Sequence, residues 1–210
     1  VKVTGMYSLQ EFKSLSHLDC DCIVTTERIL KADFPIIYIS MALSEREMRK
    51  IEEGIKEIQV NHLLELNILE AIILPIEEKD MESAIKAMVQ PLQEEDFVTE
   101  EYMQSVLSRE EMSSTSLNYI ALPHGNPAMV HNTRLVIGRM NQPLLWDDSK
   151  VSCAFLFAVS AEMLREKPML FNTFYRTMAD PEVEESIKKL QMEKNLPDEV
   201  FRQKLFQILR

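Results

Sequence analysis

Short apolar runs of the kind that form buried strands alternate with stretches of helical spacing along the whole chain. Three such runs fall in the first sixty residues, at 1–5, 22–26 and 36–39. Between them, Ser8 with Glu11 and Ser44 with Glu47 form capping-box signatures that predict the starts of two helices. Strands that alternate with helices favour a parallel sheet.

The rest of the chain continues the alternation with longer elements. Strands are predicted at 70–74, 119–122, 134–139 and 151–160. Helices are predicted from Asp80, after a cap at Thr99, over 168–178 and from Pro197, with the helix begun at Ser44 extending to about residue 65. We therefore expect an α/β fold with helices on both sides of a mixed sheet, preceded by a partial α/β domain with a parallel sheet. The predicted domains are 1–60 and 66–210, joined by a short linker.

The charge of the chain argues against direct binding to nucleic acid. It has 34 acidic and 23 basic residues and a formal net charge of −11, of which the first 58 residues carry only −2. No basic cluster interrupts the acidic excess, whereas proteins that contact phosphate backbones present one. The 210 residues also contain no apolar run of membrane-spanning length.

The three cysteines predict a cytoplasmic protein. Cys20 and Cys22 are separated by one residue, and no cluster of other potential metal ligands lies near them in the sequence. Cys153 lies in an apolar strand. All three cysteines are therefore expected to be small buried side chains. Three thiols without a secretory leader indicate a reducing compartment. We expect no metal site and no cofactor.

Residues 118–127 are the segment of the chain that indicates a chemical function most directly. An apolar run ends at Pro123, and His124 follows at the start of a turn that contains Gly125. A neutral imidazole is a nucleophile near pH 7, since its unperturbed pKa is about 6.5. The segment is therefore typical of a reactive histidine, although a histidine that only hydrogen-bonds the turn is the alternative. Glycine at the next position would allow a ligand to approach the backbone.

The surrounding motifs resemble the fructose/mannitol-type IIA domains of the bacterial phosphotransferase system. The resemblance covers about residues 66–210 and rests on an ordered series: the pair Arg109 and Glu110, the run Ser113 to Thr115, the Pro-His-Gly turn, a segment that ends at Trp146, and the long apolar strand. It implies that His124 takes a phosphoryl group from the carrier HPr and passes it to a IIB cysteine.

The resemblance also suggests phosphate-binding residues. Arg109 matches the arginine of the family, and a guanidinium can bind phosphoryl oxygens through two parallel hydrogen bonds; the alternative is a solvated charge at a helix end. Thr115 could donate its hydroxyl, although threonines before strands commonly bond their own backbone. Gly125 and Lys167 complete the predicted set, with an exposed lysine as the alternative at Lys167.

Two departures from the family pattern concern onward transfer. Active transporter domains carry a second histidine about thirteen residues before an aspartate, and this position, counted from Asp180, holds Lys167. The loop between Thr115 and His124 is also one residue short, because it lacks a glycine after Asn118. Acceptance of a phosphoryl group is therefore the firmer expectation.

The first 58 residues resemble the second half of a galactitol-type IIB domain, through Asp21 to Thr26 and Pro35 to Glu47. The first strand and the phosphate-binding loop of such a domain would precede Val1, which suggests a fragment. A partial IIB-like domain followed by a IIA-like one is the tail arrangement of BglG-like and mannitol-activator-like regulators and antiterminators.

Three functions follow from this resemblance. The leading one is a regulatory phospho-acceptor module of a transcriptional regulator or antiterminator, with HPr or a IIB protein and the other domains of the regulator as partners. The second is an active IIA phosphocarrier for a sugar transporter. The third is a docking or dimerisation module that is never phosphorylated. A homodimer is compatible with each.

Overall fold

The computed structural model describes residues 3–15, 18, 20, 22–29, 34–65, 68–167, 170–193 and 196–209. The chain divides into two units, Val1–Asn61 (unit 1) and His62–Arg210 (unit 2). Within those described ranges, no helix has both the length and the apolar content needed to cross a bilayer.

Unit 1 contains a short parallel sheet, one short helix and most of a second helix, whose last residues belong to unit 2. The elements in chain order are α1 Leu9–Ser14, β1 Ile23–Thr25, β2 Ile36–Tyr38 and α2 Glu45–Glu65. The two strands are parallel, with Ile23 opposite Ile36. The capping box at Ser8 is confirmed, because the Ser8 N–H donates to the Glu11 carboxylate over 2.8 Å and the Glu11 N–H donates to the Ser8 hydroxyl over 3.3 Å.

Unit 1 also corrects two predictions. Residues 3–5 form no strand, and Val3 is 73% exposed, so this run has no buried face that could hold it in a sheet. At the start of α2, the Glu47 N–H donates to the Ser44 hydroxyl, but the Glu47 carboxylate accepts from the Ser40 N–H over 2.9 Å. Only half of the predicted capping box therefore forms, and the other half bonds the loop after β2.

Unit 2 is built on a five-stranded mixed sheet. Its strands are β3 Ile72–Ile76, β4 Ser116–Leu117, β5 Ile120–Ala121, β6 Arg134–Trp146 and β7 Ser149–Ala158. Their order across the sheet is β3, β6, β7, β5, β4. β3 runs parallel to β6 and β5 parallel to β7, whereas the β6–β7 and β4–β5 pairs are antiparallel.

Helices cover both faces of this sheet, as predicted. The helices are α3 Met81–Glu94, α4 Tyr102–Met112, α5 Ala161–Glu166, α6 Leu170–Met178, α7 Pro181–Met192 and α8 Asp198–Leu209. α3 and α4 pack on one face through residues such as Met88, Tyr102 and Val106. α6, α7 and α8 pack on the other through residues such as Phe174 and Leu205. Cys153 is fully buried in this second core, as predicted, and its burial raises the thiol pKa to about 12.

Several boundaries differ from the predictions. β6 continues to Trp146, seven residues past its predicted end, with a register irregularity between Arg139 and Leu144 that accommodates Pro143. α4 begins at Tyr102 with Glu101 at its cap, so the predicted cap at Thr99 is wrong; the Thr99 carbonyl accepts from the Tyr102 N–H instead. Pro168, the predicted start of α6, lies outside the described residues.

Two helices were not predicted, although their starting signals are present in the sequence. α7 begins with Asp180 as its cap and Pro181 at the first helical position, which is a favoured combination. α5 begins with Ser160, whose hydroxyl accepts from the Met163 N–H over 3.2 Å. α5 has only six residues, so its cap is the main signal that could have indicated it. α7 has twelve residues with Val183, Ile187 and Leu190 at helical spacing, so its periodicity and its cap were both usable signals.

Candidate functional site

The strand pairing of β5 and β7 places His124 at the end of the sheet. β5 pairs with the centre of β7, and the pairing resumes beyond Leu122 as a single parallel bridge between His124 and Phe157. The Phe157 N–H donates to the Pro123 carbonyl over 3.0 Å. Pro123, which has no N–H to donate, therefore still takes part in the ladder through its carbonyl, and it delivers His124 at a fixed position.

The imidazole of His124 is held in one tautomer. Its Nδ1 lies 3.0 Å from the carbonyl oxygen of Leu122, and a carbonyl oxygen can only accept a hydrogen bond. In the neutral ring the proton is therefore assigned to Nδ1, which leaves a lone pair on Nε2. Nε2 is thus the nitrogen available for nucleophilic attack.

The N-terminal end of α6 lies against this ring. Phe171, the second residue of α6, packs edge-on to His124 with 5.1 Å between ring centroids. Phe171 also packs against Phe157, at 6.0 Å and nearly perpendicular. The first N–H groups of a helix have no intrahelical acceptor and carry the positive end of the helix dipole. An anion beside His124 would therefore lie in a favourable field.

The turn after His124 rests on α4. The Gly125 N–H donates to the Tyr102 hydroxyl over 3.2 Å, and the Asn126 N–H donates to the Ser105 hydroxyl over 3.0 Å. A Cβ on Gly125 would lie only 2.5 Å from Ser105 Oγ, so glycine is required for this close packing. The φ of Gly125 is not positive, so the requirement is one of space and not of backbone conformation.

Arg109 lies on the face of α4 that carries these hydroxyls. Residues 102, 105 and 109 are spaced by three and four positions, which places them in one row along the helix. The Arg109 Nη1 donates to the Ser113 carbonyl over 2.8 Å at the end of α4. The guanidinium has five donors, of which this bond uses one. Its role as a phosphate ligand stays a prediction.

The hydroxyl of Thr115 bonds a buried carboxylate of the protein. It donates to the Glu110 carboxylate, which also accepts from the Thr115 N–H over 3.0 Å and from Trp146 Nε1 over 3.1 Å. Thr115 is 6% exposed. A hydroxyl has one proton, and here that proton is used by Glu110. The geometry is therefore against Thr115 as a donor to a phosphoryl oxygen.

The structure assigns the Gly125 N–H to Tyr102 as well, so this N–H does not face a ligand. Gly125 thus has a packing role against α4, and its phosphate-binding role stays a prediction. Lys167 forms the C-cap of α5, three residues before the start of α6. It therefore lies on the segment that leads to the helix end beside His124, and its phosphate-binding role stays a prediction.

No second imidazole accompanies His124 among the described side chains. His131 is exposed, with its Nδ1 3.0 Å from the Asp96 carbonyl oxygen and 3.3 Å from its carboxylate. His17 lies outside the described residues, as does the side chain of His62. In the loop before His124, Asn118 takes the left-handed conformation with φ 47°, and the Glu184 carboxylate accepts from the Tyr119 N–H over 2.9 Å.

The fold defines a class of domain. IIA-Ntr of Neisseria meningitidis aligns with a TM-score of 0.54 and 20% identity, covering 68% of this chain and 94% of that one. IIA mannitol of Escherichia coli aligns with a TM-score of 0.51 and 22% identity, covering 67% and 96%. At this level of identity the likeness establishes the fold of a IIA domain.

The family follows from the sequence match. The model of the phosphoenolpyruvate-dependent sugar phosphotransferase system EIIA 2 family matches residues 65–202, and the chain belongs to this family. The transcriptional regulator ManR of Bacillus subtilis is 25% identical over 189 residues, which are 86% of this chain and 29% of that protein. The probable licABCH operon regulator of the same organism is 24% identical over 203 residues, or 95% and 31%. The chain thus spans less than a third of these curated relatives.

The sequence indicates His124 as the candidate phospho-acceptor, which stays a prediction, but the residues that hold this histidine were missed. Tyr102 and Ser105 form the base of the turn, Phe171 flanks the ring, and Glu110 anchors the end of α4. The row formed by residues 102, 105 and 109 was a usable signal, because polar side chains on the partly buried face of a helix must meet polar groups. The contact of Phe171 carries no local signal, since it depends on how α6 packs.

Proposed function

We propose that this chain is a regulatory phospho-acceptor module of a bacterial transcriptional regulator or antiterminator, phosphorylated on Nε2 of His124 by the sugar phosphotransferase system. The observation that carries the proposal is the hydrogen bond between Nδ1 of His124 and the Leu122 carbonyl, because it leaves the Nε2 lone pair free in a ring fixed at a sheet end. Membership of the EIIA type 2 family and the two regulator relatives support it.

The chemistry needs few groups. The Nε2 lone pair attacks the phosphorus of the phosphorylated donor. The bond between phosphorus and the donor atom breaks, and its electron pair returns to that atom, which is a histidine nitrogen if HPr is the donor and a cysteine sulfur if a IIB protein is. The added negative charge would lie beside the N-terminal end of α6. Arg109 is the proposed bidentate ligand of the phosphoryl oxygens, and Lys167 a second positive charge that cannot act as a proton shuttle at neutral pH.

The partners follow from the same proposal. HPr or a phosphorylated IIB protein would be the donor. One solved structure similar to this chain is a complex of enzyme IIA mannitol with phosphorylated enzyme IIB mannitol of Escherichia coli, and it aligns with a TM-score of 0.52 and 22% identity. The first 60 residues would be a partial IIB-like domain, for which the parallel β1–β2 pair and its flanking helices provide support. The phosphoryl state would then alter contacts with other domains of a cytoplasmic regulator.

Phosphorylation can be tested by intact mass. The purified chain is incubated with phosphoenolpyruvate, enzyme I and HPr, beside His124→Ala and the matched control His131→Ala, which removes an exposed imidazole. We expect one acid-labile phosphoryl group on the wild type and on His131→Ala, and none on His124→Ala. Absence of label from a folded wild-type chain would exclude phosphorylation by HPr, and absence of label with a phosphorylated IIB protein as well would leave a docking module. Rapid discharge of the labelled chain to a IIB protein would indicate an active carrier.

A further inference from the structure

The hydroxyl of Tyr102 occupies a fixed place in the hydrogen bonding of the histidine turn. It donates to the Phe157 carbonyl over 2.9 Å and accepts from the Gly125 N–H over 3.2 Å. Both directions are determined, since a carbonyl only accepts and an amide N–H only donates. The two groups that it joins are those that regular parallel pairing would bond to each other.

The buried surroundings of Tyr102 keep its hydroxyl protonated, so that it can donate one hydrogen bond and accept another. Tyr102 is fully buried, and burial raises its phenol pKa above the usual range. The hydroxyl therefore keeps its proton at neutral and mildly alkaline pH. Ser105, one turn later on the same face, donates to the Tyr102 carbonyl over 2.7 Å and accepts from the Asn126 N–H. Two successive N–H groups after His124 are thus bound by side chains of one helix.

These contacts hold the backbone on both sides of His124. Before it, the Pro123 carbonyl accepts from the Phe157 N–H; after it, the Gly125 N–H reaches the Phe157 carbonyl through the Tyr102 hydroxyl. With both neighbours held, the side-chain torsions of His124 are the remaining freedom, and the bond from Nδ1 to the Leu122 carbonyl fixes them. The position of the turn therefore decides whether that bond can form.

We propose that Tyr102, assisted by Ser105, is a positioning residue for His124. Its hydroxyl sets the distance between the turn after His124 and β7, and this distance allows Nδ1 to bond the Leu122 carbonyl and leaves Nε2 as the reactive nitrogen. The effect on phosphorylation rests on the proposed function, but the effect on the tautomer does not. Without the hydroxyl, the Gly125 N–H and the Phe157 carbonyl either lose their partner or bond directly, and both results move the turn.

The test is Tyr102→Phe in the full chain, with Tyr38→Phe as the matched control; the Tyr38 hydroxyl donates to a carbonyl of unit 1, that of Ile29. Nitrogen NMR of the imidazole above pH 8 reports the tautomer. We expect a single Nδ1–H tautomer for His124 in the wild type and in Tyr38→Phe, and a mixture in Tyr102→Phe. In the phosphorylation assay we expect an initial rate at least about tenfold lower in Tyr102→Phe, together with some product phosphorylated on Nδ1.

A merely structural role would give a different result. Tyr102→Phe would then be less stable, but the tautomer and the ratio of the two phosphohistidine isomers would equal those of the wild type, and this would overturn the proposal. Ser105→Ala is the second variant, should Tyr102→Phe unfold at the assay temperature; it should move the tautomer in the same direction by less, and no movement would again overturn the proposal. Failure of the wild type to be phosphorylated would affect the proposed function alone, because the tautomer is measured without a donor.

Discussion

The indole Nε1 of Trp146 donates a hydrogen bond of 3.1 Å to the carboxylate of Glu110 and so joins the end of β6 to the last turn of α4. The same carboxylate accepts from the backbone N–H and the hydroxyl of Thr115, the residue before β4. Glu110 is 6% exposed. One buried carboxylate therefore fixes three elements, one of which is the helix that supports the histidine turn.

Replacement of Glu110 should destabilise unit 2 strongly. Glu110→Ala leaves three buried donors without an acceptor, and we expect the free energy of unfolding to fall by about 3 kcal/mol or more. Trp146, the one tryptophan of the sequence, reports this unfolding by its fluorescence in a urea titration. Glu111→Ala, at the exposed neighbouring position, is the control and should change the stability by less than about 0.5 kcal/mol. Equal effects of the two variants would contradict this prediction.

Thr115→Val separates a structural role of Thr115 from phosphate binding. The variant keeps the shape of the side chain but removes the hydroxyl that donates to Glu110, so we expect a loss of about 1–2 kcal/mol of stability. Phosphorylation of His124 should reach the same extent and be as resistant to hydrolysis as in the wild type. A normal stability with a short-lived phosphohistidine would instead establish Thr115 as a phosphate ligand.

The fold could be predicted largely from the sequence because its strongest signals are local. The helical spacing of apolar residues and the capping residues predicted α1, α3 and α8, and the apolar runs predicted β3, β6 and β7. The exceptions are elements whose existence depends on partners elsewhere. Residues 3–5, the described part of the predicted strand at 1–5, are exposed and form no strand. β6 continues past Pro143 because its pairing with β7 resumes at Leu144. Local preference is overridden in both cases by tertiary pairing.

The site could be predicted only in part, for a similar reason. His124 is evident because a strand, a proline and a glycine surround it. Whether Thr115 faces a ligand or Glu110 depends on which way a buried side chain turns, and the sequence does not contain that information. Gly125 illustrates the same limit: the sequence predicts that glycine lets a ligand approach the backbone, whereas the close approach that the structure contains is made by Tyr102 and Ser105 of α4.

Gly125→Ala should be destabilising for steric reasons. Its Cβ would lie 2.5 Å from Ser105 Oγ and 2.7 Å from Tyr102 Cε2, so the turn must move away from α4. We expect a loss of about 1–3 kcal/mol, measured by Trp146 fluorescence in urea.

A double-mutant cycle with Ser105→Ala tests this cause. Removal of the hydroxyl relieves the shorter of the two contacts, so Gly125→Ala should cost less in the Ser105→Ala background than in the wild type, by at least about 0.5 kcal/mol. The same cost in both backgrounds would show that the contact with Ser105 does not determine the effect.

Cys153 should make unit 2 less stable as the pH rises. Burial raises its pKa from 9.0 to about 12, so between these values the thiol ionises in the unfolded chain but not in the folded one. The unfolded state then binds fewer protons, and the free energy of unfolding falls with increasing pH. The contribution of Cys153 is complete below pH 9 and is lost progressively up to about pH 12.

Cys153→Ala isolates this effect. The variant is less stable at every pH because it leaves a small cavity, so the quantity to compare is the slope of stability against pH between 9 and 10, below the usual pKa of tyrosine. Cys20 and Cys22 titrate equally in both proteins and cancel. We expect a steeper decline in the wild type than in Cys153→Ala. Parallel slopes would mean that the Cys153 thiol ionises within the folded core, which would contradict its burial on β7 against the helices of the second face.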